Sequence, residues 1–172
     1  LRGSINVPAD GRMAETVGMV FTPDQQVVVI APEGVEQDVA TRFARIGFDH
    51  VVGYVADPEA YFLSHEDDVT RASRLTVAEA DAAFARDEVQ VVDIRNAGEL
   101  EAGGVAGATH IPLAELARRS GELDPSRPVV AYCAGGWRSS VAASLLRAQG
   151  FADVSDILGG YGAWERAHAT AS

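Results

Sequence analysis

The most informative segment of this 172-residue chain is Val129-Val130-Ala131-Tyr132-Cys133-Ala134-Gly135-Gly136-Trp137-Arg138-Ser139-Ser140. The apolar run that ends at Tyr132 predicts a β-strand buried on both faces, and this strand leads directly into Cys133. A tight loop with two glycines follows, and residues 139–149 predict a helix that stops at Gly150. A buried strand that passes through a short loop into a helix is typical of α/β folds.

Predicted strands and helices alternate on both sides of this segment. Thr76 and Glu79 have the spacing of a capping box, which predicts the start of a short helix. Further strands are predicted over 89–94, 108–111 and 154–158, and further helical segments over 96–102, 113–119 and from Gly160 through Trp164. This alternation predicts right-handed crossovers and a mainly parallel sheet with helices on both faces.

Three blocks of the sequence occur twice in the same order. Residues 3–8, 26–31 and 45–51 resemble residues 107–112, 128–133 and 148–154, respectively. Such a repeat predicts two copies of one structural unit. We expect a partial copy over 1–56, a linker over 57–73 and a complete copy over 74–172. The partial copy is predicted to contain only two strands, at 27–31 and 51–55, and a helix at 35–46.

The composition narrows the class of protein. The 14 basic residues, all arginines, face 25 acidic ones, and the net charge of −11 would repel a nucleic-acid backbone. No apolar run approaches the ~18 residues of a membrane helix, so we expect a soluble, cytoplasmic protein. The start, Leu1-Arg2-Gly3-Ser4, has neither an initiator Met nor a signal peptide, which suggests a cut within a longer chain. One cysteine excludes a disulfide framework and a cysteine-rich zinc site.

The loop after the strand has the features of an anion-binding site centred on a thiol. Its glycines allow successive backbone N–H groups to point towards one centre, and the start of the following helix adds further N–H groups. Arg138 either adds a positive charge or braces the loop. A thiol in this setting has a lowered pKa and reacts as the thiolate. The alternative is an inert cysteine in the core. The residues predicted to surround Cys133 are Ala134, Gly135, Gly136, Trp137 and Ser139.

A second group of candidate residues lies at the end of the predicted strand 89–94. The carboxyl ends of strands are where open α/β sheets place their sites. We expect Asp93 to fix the catalytic loop and Arg95 to pair with Glu99, both as supporting residues. His110 is as consistent with a packed strand residue as with a site residue. No second histidine or acid stands at ligand spacing from it, so no metal site is predicted. Trp137 is expected to line the mouth of the site.

Several of these segments resemble the rhodanese-like sulfurtransferase family. The stretch from Cys133 to Arg138 is similar to the family's active-site loop, Cys-x-x-Gly-x-Arg, and residues 91–95 resemble its Asp-Val-Arg strand. Residues 107–112 and 158–164 also resemble family motifs, so that the resemblance extends over roughly 74–167. Two residues depart from the pattern: Gly104 stands where His is common, and Leu100 stands where Phe or Tyr is common.

The resemblance implies a sulfurtransferase that needs no metal or cofactor, with Cys133 and Arg138 as its catalytic residues. The Cys133 thiolate would take the outer sulfur of a small anionic donor, such as thiosulfate or a low-molecular-weight persulfide, and pass it to a thiol or to cyanide. Related phosphatases and arsenate reductases have five residues between Cys and Arg. Here four residues separate them, which favours sulfur over phosphate. A phosphatase or arsenate reductase, and a non-catalytic sulfide-sensing adaptor, are the alternatives.

The first copy is predicted to be inactive. Its counterpart of the thiol loop begins at Ala31 and contains no cysteine, and Pro32 removes one N–H donor. We expect the carboxylates of Glu33, Glu36 and Asp38 to fill the position of an anion and repel it. The tandem arrangement resembles the C-terminal part of bacterial fusions with a metallo-β-lactamase-fold persulfide dioxygenase, which implies such a domain as an upstream partner.

Overall fold

The structure is a computed structural model that describes residues 1–9 and 11–169. Its contacts divide the chain into two units. The first unit contains Leu1–Arg2 and Val7–Thr70, and the second contains Gly3–Asn6 and the chain from Arg71 onwards. No helix of the described residues has the length and apolar composition that a membrane span requires.

A two-stranded parallel sheet is the centre of the first unit. The elements of this unit are α1 (Met13–Val20), β1 (Val27–Ile30), α2 (Glu36–Ala44), β2 (Val51–Val55) and α3 (Pro58–Ser64), followed by a 3-10 turn at Glu66–Asp68. The core of the unit includes Val17, Val29 and Phe43. The side chains of Val28 and Tyr54 are exposed, because successive strand residues point to opposite faces of a sheet.

Helix α1 was not anticipated from the sequence. The prediction that this unit contains only two strands and one helix is therefore wrong, because it relies on the repeat alone. Met13, Thr16, Val17 and Val20 are buried on one side of α1, and their spacing is that of an amphipathic helix. The signal for α1 was thus present in the sequence.

The second unit alternates strands with helices. Its strands are β3 (Arg74–Leu75), β4 (Gln90–Asp93), β5 (Thr109–His110), β6 (Val129–Tyr132) and β7 (Val154–Ile157), and its helices are α4 (Val77–Phe84), α5 (Leu113–Arg119), α6 (Trp137–Ala148) and α7 (Gly160–Ala169). Short 3-10 segments lie at Ala97–Ala102 and Ser120–Glu122. All strand pairs are parallel, in the order β3-β7-β6-β4-β5, which confirms the predicted α/β class with a parallel sheet.

The central strand β6 is buried along its whole length. Val130 packs in one cluster with Ala80 of α4 and Tyr161 of α7. Val129 points to the opposite face of the sheet and is equally buried, and α6 packs against β6 and β7. Burial on both faces explains the continuous apolar run of this strand. The strand delivers Cys133 to the carboxyl edge of the sheet.

Candidate active site

The loop after β6 turns sharply into α6. Gly136 precedes the helix in the left-handed conformation, with φ of 89°, which favours glycine. A Cβ atom at this position would also lie 3.0 Å from the backbone nitrogen of Gly159. The helix therefore begins at Trp137 rather than at the predicted Ser139, and Arg138 belongs to its first turn.

The sulfur of Cys133 lies beneath this loop. The backbone N–H of Gly136 donates to Sγ at 3.1 Å, and Sγ lies 3.7 Å from the hydroxyl oxygen of Ser139. Donation by the Gly136 N–H stabilises negative charge on the sulfur, and the nearby start of α6 acts in the same direction. Because Cys133 is only 1% exposed, a donor must reach the sulfur through the loop.

Two of the five residues predicted to surround the thiol, Gly136 and Ser139, contact its sulfur. Ala134 and Gly135 are exposed, and Trp137 is half-buried. The roles of these three residues in binding a substrate, including Trp137 at the mouth of the site, stay predictions.

Arg138 is held by Glu99, which lies on the 3-10 segment that precedes β5. Nη1 and Nη2 of Arg138 donate to the two oxygens of the Glu99 carboxylate at 2.6 and 2.7 Å. These hydrogen bonds lower the pKa of Glu99 to about 2, and they raise the pKa of Arg138. Both side chains are therefore charged at neutral pH, and Arg138 braces the loop through a two-point ion pair.

The prediction that Arg95 pairs with Glu99 is wrong, because the guanidinium of Arg95 binds Asp93 instead. Nε and Nη2 of Arg95 donate to the Asp93 carboxylate at 3.0 and 2.6 Å, and both residues are 2% exposed. Arg95 also donates to the backbone oxygen of Gly103 and lies over the ring of Tyr161, 4.3 Å from its centroid. A buried cation requires such a full set of partners, so Arg95 is a structural residue.

Asp93 supports the thiol strand rather than the loop itself. The hydroxyl of Tyr132 donates to Asp93 at 2.8 Å and accepts from the backbone N–H of Val105 at 3.1 Å. Burial raises the pKa of Tyr132 to about 12, so the hydroxyl stays protonated as a donor. Because Tyr132 directly precedes Cys133, these contacts fix the end of the strand from which the loop starts.

Asp156 and Arg74 complete the surroundings of the loop, and neither was singled out from the sequence. The hydroxyl of Ser139 donates to Asp156 at 3.1 Å. Nε and Nη2 of Arg74 donate to the same carboxylate at 2.9 and 2.8 Å, and Nη2 also donates to the backbone oxygen of Gly136 at 3.1 Å. An acid inside the buried strand β7 was the available signal, because a buried carboxylate needs partners.

The start of α7 closes against the thiol loop. The backbone N–H of Tyr161 donates to the carbonyl oxygen of Cys133 at 2.7 Å, and that of Gly162 donates to Ala134 at 3.0 Å. A Cβ atom at Gly160 would lie 2.3 Å from the Cys133 oxygen, so only glycine allows this approach.

A family model for the rhodanese-like domain matches residues 76–167, which is more than half of the chain. The chain belongs to the rhodanese-like domain family. It is 41% identical over 81 residues to the thiosulfate sulfurtransferase GlpE of Shewanella oneidensis, a match that covers 47% of this chain and 80% of GlpE. It is 36% identical over 77 residues to the uncharacterized protein YqhL of Bacillus subtilis, which covers 45% of this chain and 61% of YqhL. The chain thus spans less than two thirds of YqhL.

Among solved structures, a rhodanese-related protein from Thermoplasma volcanium has a similar fold. The two chains superpose with a TM-score of 0.51 at 26% sequence identity, and the match covers 55% of this chain and 91% of the other. The similar region corresponds in length to one domain, as the family match does.

His110 supports the rhodanese-like domain from β5. Its Nε2 lies 2.8 Å from the backbone oxygen of Arg95, and the residue is half-buried. Within the part of the chain that the structure describes, no group of three or more His, Cys, Asp or Glu residues has a metal-binding arrangement.

The first unit has a cavity of about 640 Å³ at the carboxyl ends of β1 and β2. Ala31, Glu33 and Asp57 are among the residues that line it. Of the three carboxylates predicted to fill this position, only Glu33 does so. Glu36 accepts from the N–H of Gly34, and Asp38 lies 3.5 Å from Arg42, so the expectation for these two acids is wrong.

Proposed function

We propose that the second unit is a sulfurtransferase that carries sulfane sulfur on Cys133 as a persulfide. The observation that carries this proposal is the 3.1 Å hydrogen bond from the Gly136 N–H to the sulfur, in a glycine loop between β6 and α6. An N–H group in this position stabilises the attacking thiolate, and it stabilises the same thiolate again when it leaves. Membership of the rhodanese-like family and the similarity to GlpE support the same assignment.

The proposed reaction has two displacement steps. The Cys133 thiolate attacks the outer sulfur of the donor, so that a new S–S bond forms while the donor's bond to that sulfur breaks. Thiosulfate would leave as sulfite, and a persulfide would leave as a thiol. An acceptor, either a thiolate or cyanide, then attacks the outer sulfur of the Cys133 persulfide, and Cys133 leaves as the thiolate. The cycle returns the protein unchanged, and Arg138 holds the loop in place through Glu99.

The first prediction compares this chemistry with that of the related phosphatases. We expect the protein to form thiocyanate from cyanide and a sulfane-sulfur donor, and to leave p-nitrophenyl phosphate intact, because the loop has four residues between Cys133 and Arg138. Both reactions are followed by colorimetry with the same protein sample. Hydrolysis of the phosphate ester without sulfur transfer would contradict the proposal. Slow persulfidation without turnover would favour the adaptor function.

We further propose that residues 1–56 form an inactive, partial copy of the same unit. The repeated sequence blocks and the matching strand-to-helix order of β1, α2 and β2 support this proposal. Ala31 is the counterpart of Cys133 in the repeat, and a carboxylate, Glu33, lines the adjacent cavity. The resemblance to bacterial fusions supports an upstream persulfide dioxygenase domain as the partner of the pair.

The second prediction tests this inactivity. In a Cys133→Ser background, Ala31→Cys is expected to give no sulfur transfer, because Pro32 removes a donor N–H and Glu33 repels an anionic donor. Thiocyanate formation is the measurement, and alkylation of the introduced thiol shows that it is reduced and reachable. Recovery of activity in this variant would show that the carboxylates do not block the position.

A further inference from the structure

The cations that brace the thiol loop are each neutralised by a carboxylate. Arg138 donates two hydrogen bonds to Glu99, at 2.6 and 2.7 Å. This pair is 16% exposed on the arginine side chain and 34% on the glutamate, so solvent screens it only in part. The charge that Arg138 brings to the loop is therefore largely cancelled before a substrate arrives.

The arginine on the other side of the Gly136 peptide is cancelled in the same way. Arg74 donates to the backbone oxygen of Gly136, but it also binds Asp156 through two nitrogens. Asp156 is 2% exposed and holds the Ser139 hydroxyl as well. Beneath the strand, Arg95 is paired with Asp93.

No arginine in contact with the described loop residues contributes an uncompensated positive charge. Arg166 of α7 extends past the backbone of Gly162, next to Ala134, and it is also engaged in an interaction of its own. Residues 71–172 contain 10 arginines and 13 acidic residues, so the net charge of this part of the chain is negative. A dianion would meet a repulsive field and no unpaired cation.

What remains for an incoming donor is the dipole of the Gly136 N–H and the start of α6. A helix start is equivalent to about half of one positive charge, which suits a singly charged or neutral group. We propose that the sulfur donor of this site is a low-charge organic persulfide, R–S–SH, rather than the dianion thiosulfate. This inference rests on the proposed function, since it assumes that Cys133 carries sulfane sulfur.

The step balances without an oxidant or reductant from outside. The Cys133 thiolate attacks the terminal sulfur of R–S–SH, the R–S bond to that sulfur breaks, and R–S⁻ leaves. The proton of the donor stays on the transferred sulfur or passes to the leaving thiolate. The products are the Cys133 persulfide and one thiol, and the leaving group carries one negative charge at most.

The decisive variant is Glu99→Gln, because it frees the charge of Arg138 while glutamine can still accept the N–H of Asn96. We compare single-turnover sulfuration of Cys133 by thiosulfate and by 2-hydroxyethyl persulfide, whose carbon chain is uncharged, using the intact mass of the full chain. Glu99→Gln is expected to raise the rate constant for thiosulfate about tenfold relative to that for the persulfide. Asp156→Asn removes the second carboxylate and is expected to shift the ratio in the same direction.

Glu115→Gln is the matched control. It removes one carboxylate that pairs with Arg119 on α5, away from the loop, and should leave the ratio of the two rates as it is in the parent protein. A ratio that Glu99→Gln and Asp156→Asn do not change, or that they shift towards the persulfide, would overturn the inference. If neither donor adds sulfur to Cys133 in any variant, the proposed function itself fails.

Discussion

Cys133→Ser is expected to reduce sulfur transfer at least about a thousandfold, to the background of the assay. A serine hydroxyl is neither ionised at neutral pH nor able to hold a second sulfur, so both displacement steps are lost. The fold should change little, because the hydroxyl is close in size to the thiol and can accept the Gly136 N–H in place of the sulfur. Thiocyanate formation and circular dichroism of the same preparation measure the two effects.

Ala134→Ser is the matched control for this variant. It places the same hydroxyl one residue further along the loop, at an exposed position, and should retain most of the activity. Sulfur transfer that persists in Cys133→Ser would show that another group carries the sulfur, and it would refute the central role of this thiol.

Arg95→Met is expected to produce the largest loss of stability. The variant leaves the Asp93 carboxylate buried without its cation, and breaking a buried pair in this way costs about 3–5 kcal/mol. It also removes the donor to Gly103 and the guanidinium over the Tyr161 ring. Urea denaturation followed by tryptophan fluorescence measures the effect on the second unit alone, because Trp137 and Trp164 both lie in it.

Arg86→Met provides the comparison for this loss. Arg86 pairs with Glu88 at the surface, its side chain is 62% exposed, and such pairs contribute at most about 1 kcal/mol. Equal free energies of unfolding for Arg95→Met and Arg86→Met would contradict a structural role for the buried cluster.

Local patterns predicted the elements that depend on local sequence. The bounds predicted for β2, α5 and β6 agree with the structure, because a continuous apolar run or a helical stripe determines each of them. The capping box of Thr76 and Glu79 is present with both of its hydrogen bonds. Helix α6 starts earlier than predicted because the left-handed Gly136, not a serine, precedes its first residue.

The partners within the site could not be predicted from spacing. Glu99 stands one turn after Arg95, yet it binds Arg138, which is 39 residues further along the chain. Asp156 reaches Ser139 and Arg74 only because β3 and β7 are neighbours in the sheet. Such long-range ion pairs follow from the folded topology, whereas the thiol, its glycine loop and the helix after it are contiguous in the sequence.

The most direct test of the account is the mass of the protein after incubation with a sulfane-sulfur donor, followed by mapping of the peptide that contains Cys133. We predict one added sulfur atom on this peptide, and its removal by cyanide or by a thiol. An unmodified mass in a sample whose Cys133 is a free, alkylatable thiol after unfolding would contradict the account.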